Sequence, residues 1–139
     1  MSDATTKVLT RIEEASRQLI AGTQPLRWEW DDRFSAARLV VQAADAPRIL
    51  ALVRAQLPGG AWQAESIKQA PALARTLAGK WGGLQQGQEL FTFDLDQAPV
   101  LFASWWPWSG GTTFSLRVSG AACGAEVEMS ALIRRCFSL

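Results

Sequence analysis

Between Glu89 and Val118 the chain passes through three stretches of strand character with only a few residues between one and the next, and this spacing most constrains its fold. In Glu89 to Leu95, Phe91, Phe93 and Leu95 fall on one face; in Thr112 to Val118, Phe114, Leu116 and Val118 do the same. Val100 to Trp106 lies between them, and Gln97-Ala98-Pro99 and Ser109-Gly110-Gly111 are the turns. Parallel pairing needs a crossover of about a dozen residues or more, which such turns do not contain. The simplest arrangement is an antiparallel meander.

Upstream, Arg27-Trp28-Glu29-Trp30-Asp31 alternates at strand period, with both Trp on one side and the charges on the other. Asp31-Asp32 opens a turn and Arg38-Leu39-Val40-Val41-Gln42 returns, completing a hairpin. Helical spacing over residues 5–21 buries Val8, Leu9, Ile12, Ala15, Leu19 and Ile20, with Gly22 as the stop. Asp45 is placed to cap a second helix that has Pro47 in its first turn and Ile49, Leu50, Val53 and Leu57 on its buried stripe. Weaker signals give a strand from Trp62 to Ile67 and a short helix from Pro71 to Ala78. A last helix over residues 123–137 buries Met129, Leu132, Ile133 and Cys136. Its acidic start (Glu126, Glu128) and basic end (Arg134, Arg135) suit the helix dipole. The pattern predicts an α+β fold: a single two-layer domain over residues 1–139, with an antiparallel sheet of about five strands and N-terminal, middle and C-terminal helices on one face.

Composition narrows the function. Seven Trp with no His and no Tyr make the chain rich in contact chemistry and poor in the commonest acid/base and metal-binding side chain. A net charge of +1 argues against duplex nucleic acid, which requires a basic footprint, and removes one guard against self-association. Two cysteines, Cys123 and Cys136, are too few for a disulfide scaffold and read as reduced, partly buried thiols. Without His they do not complete a four-ligand zinc site unless carboxylates or a second chain contribute, and neither a metal nor a cofactor is expected. Met1 to Thr6 has no signal-peptide pattern, and the apolar run from Ala98 to Trp108 is too short to span a membrane. The expected location is the cytoplasm, and the abundance of Ala, Arg and Leu suggests a bacterial source.

Ser104-Trp105-Trp106-Pro107-Trp108-Ser109-Gly110-Gly111 is the strongest candidate site. Neighbouring strand residues face opposite ways, so Trp105 and Trp106 enter different layers, and Pro107 pushes its strand toward an end or an edge. The expectation is a groove lined by Trp108 and one of Trp105 or Trp106. The alternative is that all three plug the sheet edge or pack under the first helix. Trp28 and Trp30 read as core, while Trp62 and Trp81 border glycines and their burial is left open. Arg27-Trp28 and Lys80-Trp81 interleave base and aromatic only locally, which is weak support for single-stranded nucleic acid. Asp94 with Asp96, and Glu29 with Asp31, read as solvated strand faces rather than acid/base pairs. There is no G-x-S-x-G, and Gly110-Gly111-Thr112-Thr113 lacks the spacing and Lys of a phosphate loop.

Two functions follow. One is a non-enzymatic protein-binding module of adaptor, immunity or secretion-chaperone type, with the Trp-rich strand end as its interface. The other is a small-ligand domain or histidine-independent enzyme with a Trp-lined pocket, in which Trp105, Trp106, Trp108, Ser104 and Ser115 form the lining. Arg117 then orients an anionic head group; otherwise it is an exposed strand residue. The partner expected is another protein. A homodimer is compatible with either reading, membrane association is not expected, and nucleic acid is disfavoured.

Overall fold

A computed structural model describes residues 3–122 and 125–139. In chain order the elements are α1 (Asp3–Gly22), β1 (Glu29–Asp31), β2 (Ala36–Gln42), α2 (Ala46–Gln56), β3 (Gly60–Gln63), α3 (Ala72–Lys80), β4 (Glu89–Thr92), β5 (Val100–Trp108), β6 (Thr113–Ala121) and α4 (Glu126–Cys136). All strands pair antiparallel in one six-stranded sheet of order β1-β2-β6-β5-β4-β3. The fold is α+β as the hairpin spacing requires, and the strand beyond the expected five is the short edge strand β3.

β5 and β6 form the centre of the sheet, paired from Val100↔Ala121 to Trp108↔Thr113. Their alternation sets two faces. Leu101, Ala103 and Trp105 of β5 share one face with Leu116, Val118 and Gly120 of β6 and with Ala37, Leu39 and Val41 of β2. Helices α1, α2 and α4 cover this face. Val8, Ile12, Ala15 and Leu19 of α1, Ile49 and Val53 of α2, and Met129 and Ile133 of α4 are buried in the core. Trp28 packs on Phe137 at 4.6 Å and donates its indole N–H to Thr23 Oγ1 at 3.0 Å; Arg134 of α4 lies over Trp30.

The opposite face carries Phe102, Ser104, Trp106 and Trp108 of β5 and Ser115, Arg117 and Ser119 of β6, together with Arg38 and Val40 of β2. α3 ends over this face: Trp81, which follows it, touches Phe102 at 4.8 Å. The layer is therefore covered in part from the second side as well, an addition to the one-sided helix layer read from the sequence.

Several local expectations are corrected. β4 ends at Thr92, so Asp94 and Asp96 lie in a loop, where Asp94 Oδ1 accepts the Asp96 backbone N–H at 3.0 Å; the Asx turn competes with the ladder and wins. Asp45 makes no side-chain cap. α2 is entered through a 3₁₀ turn over Ala43–Asp45, and the carboxylate faces Arg48 at 3.5 Å instead. α4 begins at Glu126, and Cys123, expected in its first turn, lies outside the described residues. β5 runs through Pro107 to Trp108, because its pairing with β4 stops at Trp105 and the proline sits where β5 has outrun its neighbour.

Gly59 marks the closest backbone approach. A Cβ there would strike the backbone of Phe93 and Asp94, while the Gly59 N–H donates to the Thr92 carbonyl at 2.9 Å. At Gly120 a Cβ meets first the mobile end of Met129. Gly59→Ala should therefore cost about 2–3 kcal/mol, as overpacking against unyielding backbone does, and Gly120→Ala less. Urea midpoints of the two variants check this order; equal losses would refute it.

Candidate functional site

The second face is organised by a buried arginine. Arg117 sits on β6 opposite Ser104, with 5% of its surface exposed. The reading of Arg117 as an exposed strand residue is thus corrected: β6 is central, and both faces of its middle are covered. Its Nε donates to Asp31 Oδ2 at 3.0 Å across the intervening strand β2. Its guanidinium lies 4.4 Å from the centre of the Trp106 ring and 4.8 Å from that of Phe34, so the cation packs against two aromatic rings.

Asp31 does more than neutralise. Its Oδ1 accepts the Phe34 backbone N–H at 3.3 Å, which folds the β1–β2 turn back over the sheet. Ser119 Oγ donates to the Ser35 carbonyl at 2.9 Å and clamps the same turn from β6; Ser35 takes a left-handed conformation, φ 50°. The solvated carboxylate expected at Asp31 is therefore also corrected, although Glu29 stays exposed and pairs with Arg38 at 2.9 Å. Burial disfavours the Asp31 charge, but the hydrogen bonds from Arg117 and the Phe34 N–H and the fields of Arg117 and Arg38 outweigh it and hold its pKa below the ordinary carboxylate value. For Arg117, burial is the largest influence and, with the fields of Arg38 and Arg33, lowers its pKa despite the support of Asp31.

The turn delivers Phe34 to an aromatic cluster. Phe34 meets Trp106 edge-on at 5.3 Å and Trp81 at 6.0 Å, and Trp81 meets Trp106 at 6.4 Å, all near perpendicular. Beside this cluster runs an open groove of about 620 Å³, walled by Phe34, Trp81, Trp106 and Trp108, with Arg33, Lys80 and Arg117 as its charged residues. Gln85 and Gln88 line it from the α3–β4 connection. A second cavity of about 300 Å³ adjoins it, sharing Arg33, Phe34, Lys80 and Trp81 and adding Glu126.

The residues singled out from sequence separate by strand parity. Trp106, Trp108 and Arg117 line the groove. Ser104 shares their face but is only 3% exposed, beneath the aromatic layer. Trp105 belongs to the other face, 3% exposed and stacked on Phe114 at 4.7 Å, and takes no part in the groove. Trp108 is 49% exposed, yet its indole N–H is fixed on Ser115 Oγ at 2.7 Å. Phe34 and Arg33 were not singled out as site residues, and Lys80 entered only beside Trp81 as weak support for nucleic acid; an apolar side chain inside the polar turn Asp31 to Ser35 was the available signal for Phe34. Trp81 had its signal in the adjacent Gly82-Gly83.

Two buried donors at the site have no hydrogen-bond partner in the structure, Trp106 Nε1 and Arg117 Nη1. Among the described residues no group of three or more His, Cys, Asp or Glu is placed to hold a metal. Among the described residues no helix is long and apolar enough to cross a membrane. Among known protein families, curated proteins and solved structures, none matches this chain.

The Asp31 assignment has a pH signature. A depressed folded pKa contributes stability that is complete above the unfolded value, about 3.9, and lost as pH falls through the folded value. Asp31→Asn should cost about 3 kcal/mol at neutral pH, by leaving Arg117 buried without its counter-ion, and should flatten the acid limb of stability. Denaturation midpoints followed from neutral pH into the acid range check both; an unchanged acid limb would count against the pair.

Proposed function

We propose that this chain is a non-enzymatic binding module that takes a segment of another protein into the groove beside Trp108. The observation that carries the reading is an aromatic side chain that is half exposed and yet held in one orientation by Ser115. A ring already ordered loses little side-chain entropy on binding. A Trp side chain of this kind has on the order of 100 Å² left to bury, worth about 2–3 kcal/mol before association costs. Trp is also the residue type most enriched among interface hot spots.

The openness of the groove favours a polypeptide over a metabolite, since small-ligand sites enclose most of the ligand. The small-ligand reading keeps one observation of its own, the two unpartnered donors on Trp106 and Arg117. A cytoplasmic location belongs to the proposal and rests on the low cysteine content.

Native mass spectrometry of the protein purified from the cells that make it tests the reading. The expected result is a heteromeric mass with one defined second chain, lost in Trp108→Ala. That variant should keep its stability within about 1 kcal/mol, whereas Trp105→Ala should lose about 3–5 kcal/mol because its ring is core. A monomer or homodimer carrying a small adduct, or a complex indifferent to Trp108→Ala, would overturn it.

A further inference from the structure

The charged residues that line the groove are all cations: Arg33, Lys80 and Arg117. On this face Asp31 is taken by Arg117 at 3.0 Å, and Glu29 by Arg38 at 2.9 Å, with Arg38 also 3.9 Å from Asp31. Arg33 and Lys80 are then left without a carboxylate at ion-pair distance among the described residues. Arg33 lies over the Phe34 ring at 5.2 Å, a contact that attracts the cation but leaves its net charge in place. Among the described residues no carboxylate lines the groove, although exposed Asp32 adjoins Arg33 in the same turn, and a chain of net charge +1 supplies no general positive field. Glu126 lines the adjoining cavity, which shares Arg33, Phe34, Lys80 and Trp81 with the groove, and does not line the groove itself.

Resting on the reading of the groove as a protein-binding site, we infer that the segment it takes is acidic: a carboxylate side chain meets Arg33 and Lys80 while a neighbouring apolar side chain covers Trp108. Single-stranded nucleic acid would meet the same cations but needs open ring faces on which successive bases stack. Trp81 and Trp106 are each 8% exposed and locked edge-to-face, which leaves Trp108 as the open ring of the groove's three indoles. Two exposed cations at a groove rim act mainly by steering and selecting a partner, so their signature is salt dependence and sequence preference.

Selection of displayed random peptides on the full-length chain at low salt tests the inference, with Trp108→Ala and a paired Arg33→Gln, Lys80→Gln variant as controls. Arg33 and Lys80 are exposed, so their replacement leaves the core intact, and a melting curve verifies it. The expected outcome is enrichment of peptides with Asp or Glu beside Leu, Phe or Trp. Their affinity should fall about tenfold in the paired variant and also on adding salt. Peptides that depend on Trp108 but carry no acid, or that ignore the paired variant, would overturn the inference and leave the binding-module reading standing. No Trp108-dependent enrichment, or saturable binding of an oligothymidylate in its place, would overturn both.

Discussion

The second face of this sheet depends on one buried ion pair. Arg117 projects from a central strand into a layer with almost no access to water, where an unpaired cation would cost several kcal/mol. Asp31 compensates it from an edge strand two positions away in the sheet. The rings of Trp106 and Phe34 add cation–π contacts worth about 0.5–2 kcal/mol each. These terms roughly offset the desolvation, so the pair contributes more to position than to net stability. It fixes the β1–β2 turn over the sheet, and through Phe34 that turn becomes one wall of the groove.

The two faces divide the aromatic content of β5. Trp105 stacks on Phe114 in the layer covered by α1, α2 and α4, and Trp106 joins Phe34, Trp81 and Arg117 on the reverse. Adjacent residues of one strand thus serve different ends, one in the core and one in the wall of a surface groove. Pro107 marks where β4 has ceased to pair, and Trp108 follows it into partial exposure. The same strand termination opens space for the groove and supplies its anchor.

The sheet was legible because its signals are local. Turns at Gln97 to Pro99 and Ser109 to Gly111 admit only hairpins, and strand parity alone separates Trp105 from Trp106. What was not legible depends on contacts remote in sequence. Arg117 and Asp31 are 86 residues apart, and nothing near either residue signals that each is buried with the other. The alternation that placed Asp31 on a solvated face identified the face correctly and missed what covers it. At Asp94 and Asp96 the solvated reading holds, as both are exposed, but the strand placement fails for the opposite reason: a local Asx turn displaced a strand that the Phe93 and Leu95 alternation favoured.

The most direct test of this account is amide hydrogen exchange on Arg117→Met compared with the native sequence. Methionine keeps most of the side-chain volume and removes the charge that recruits Asp31. The account predicts that protection falls in β1 and in the β1–β2 turn through Ser35, while β5, β6 and α4 keep theirs. Unchanged protection at the turn, or a uniform loss throughout the sheet, would contradict the claim that this pair holds the groove wall in place.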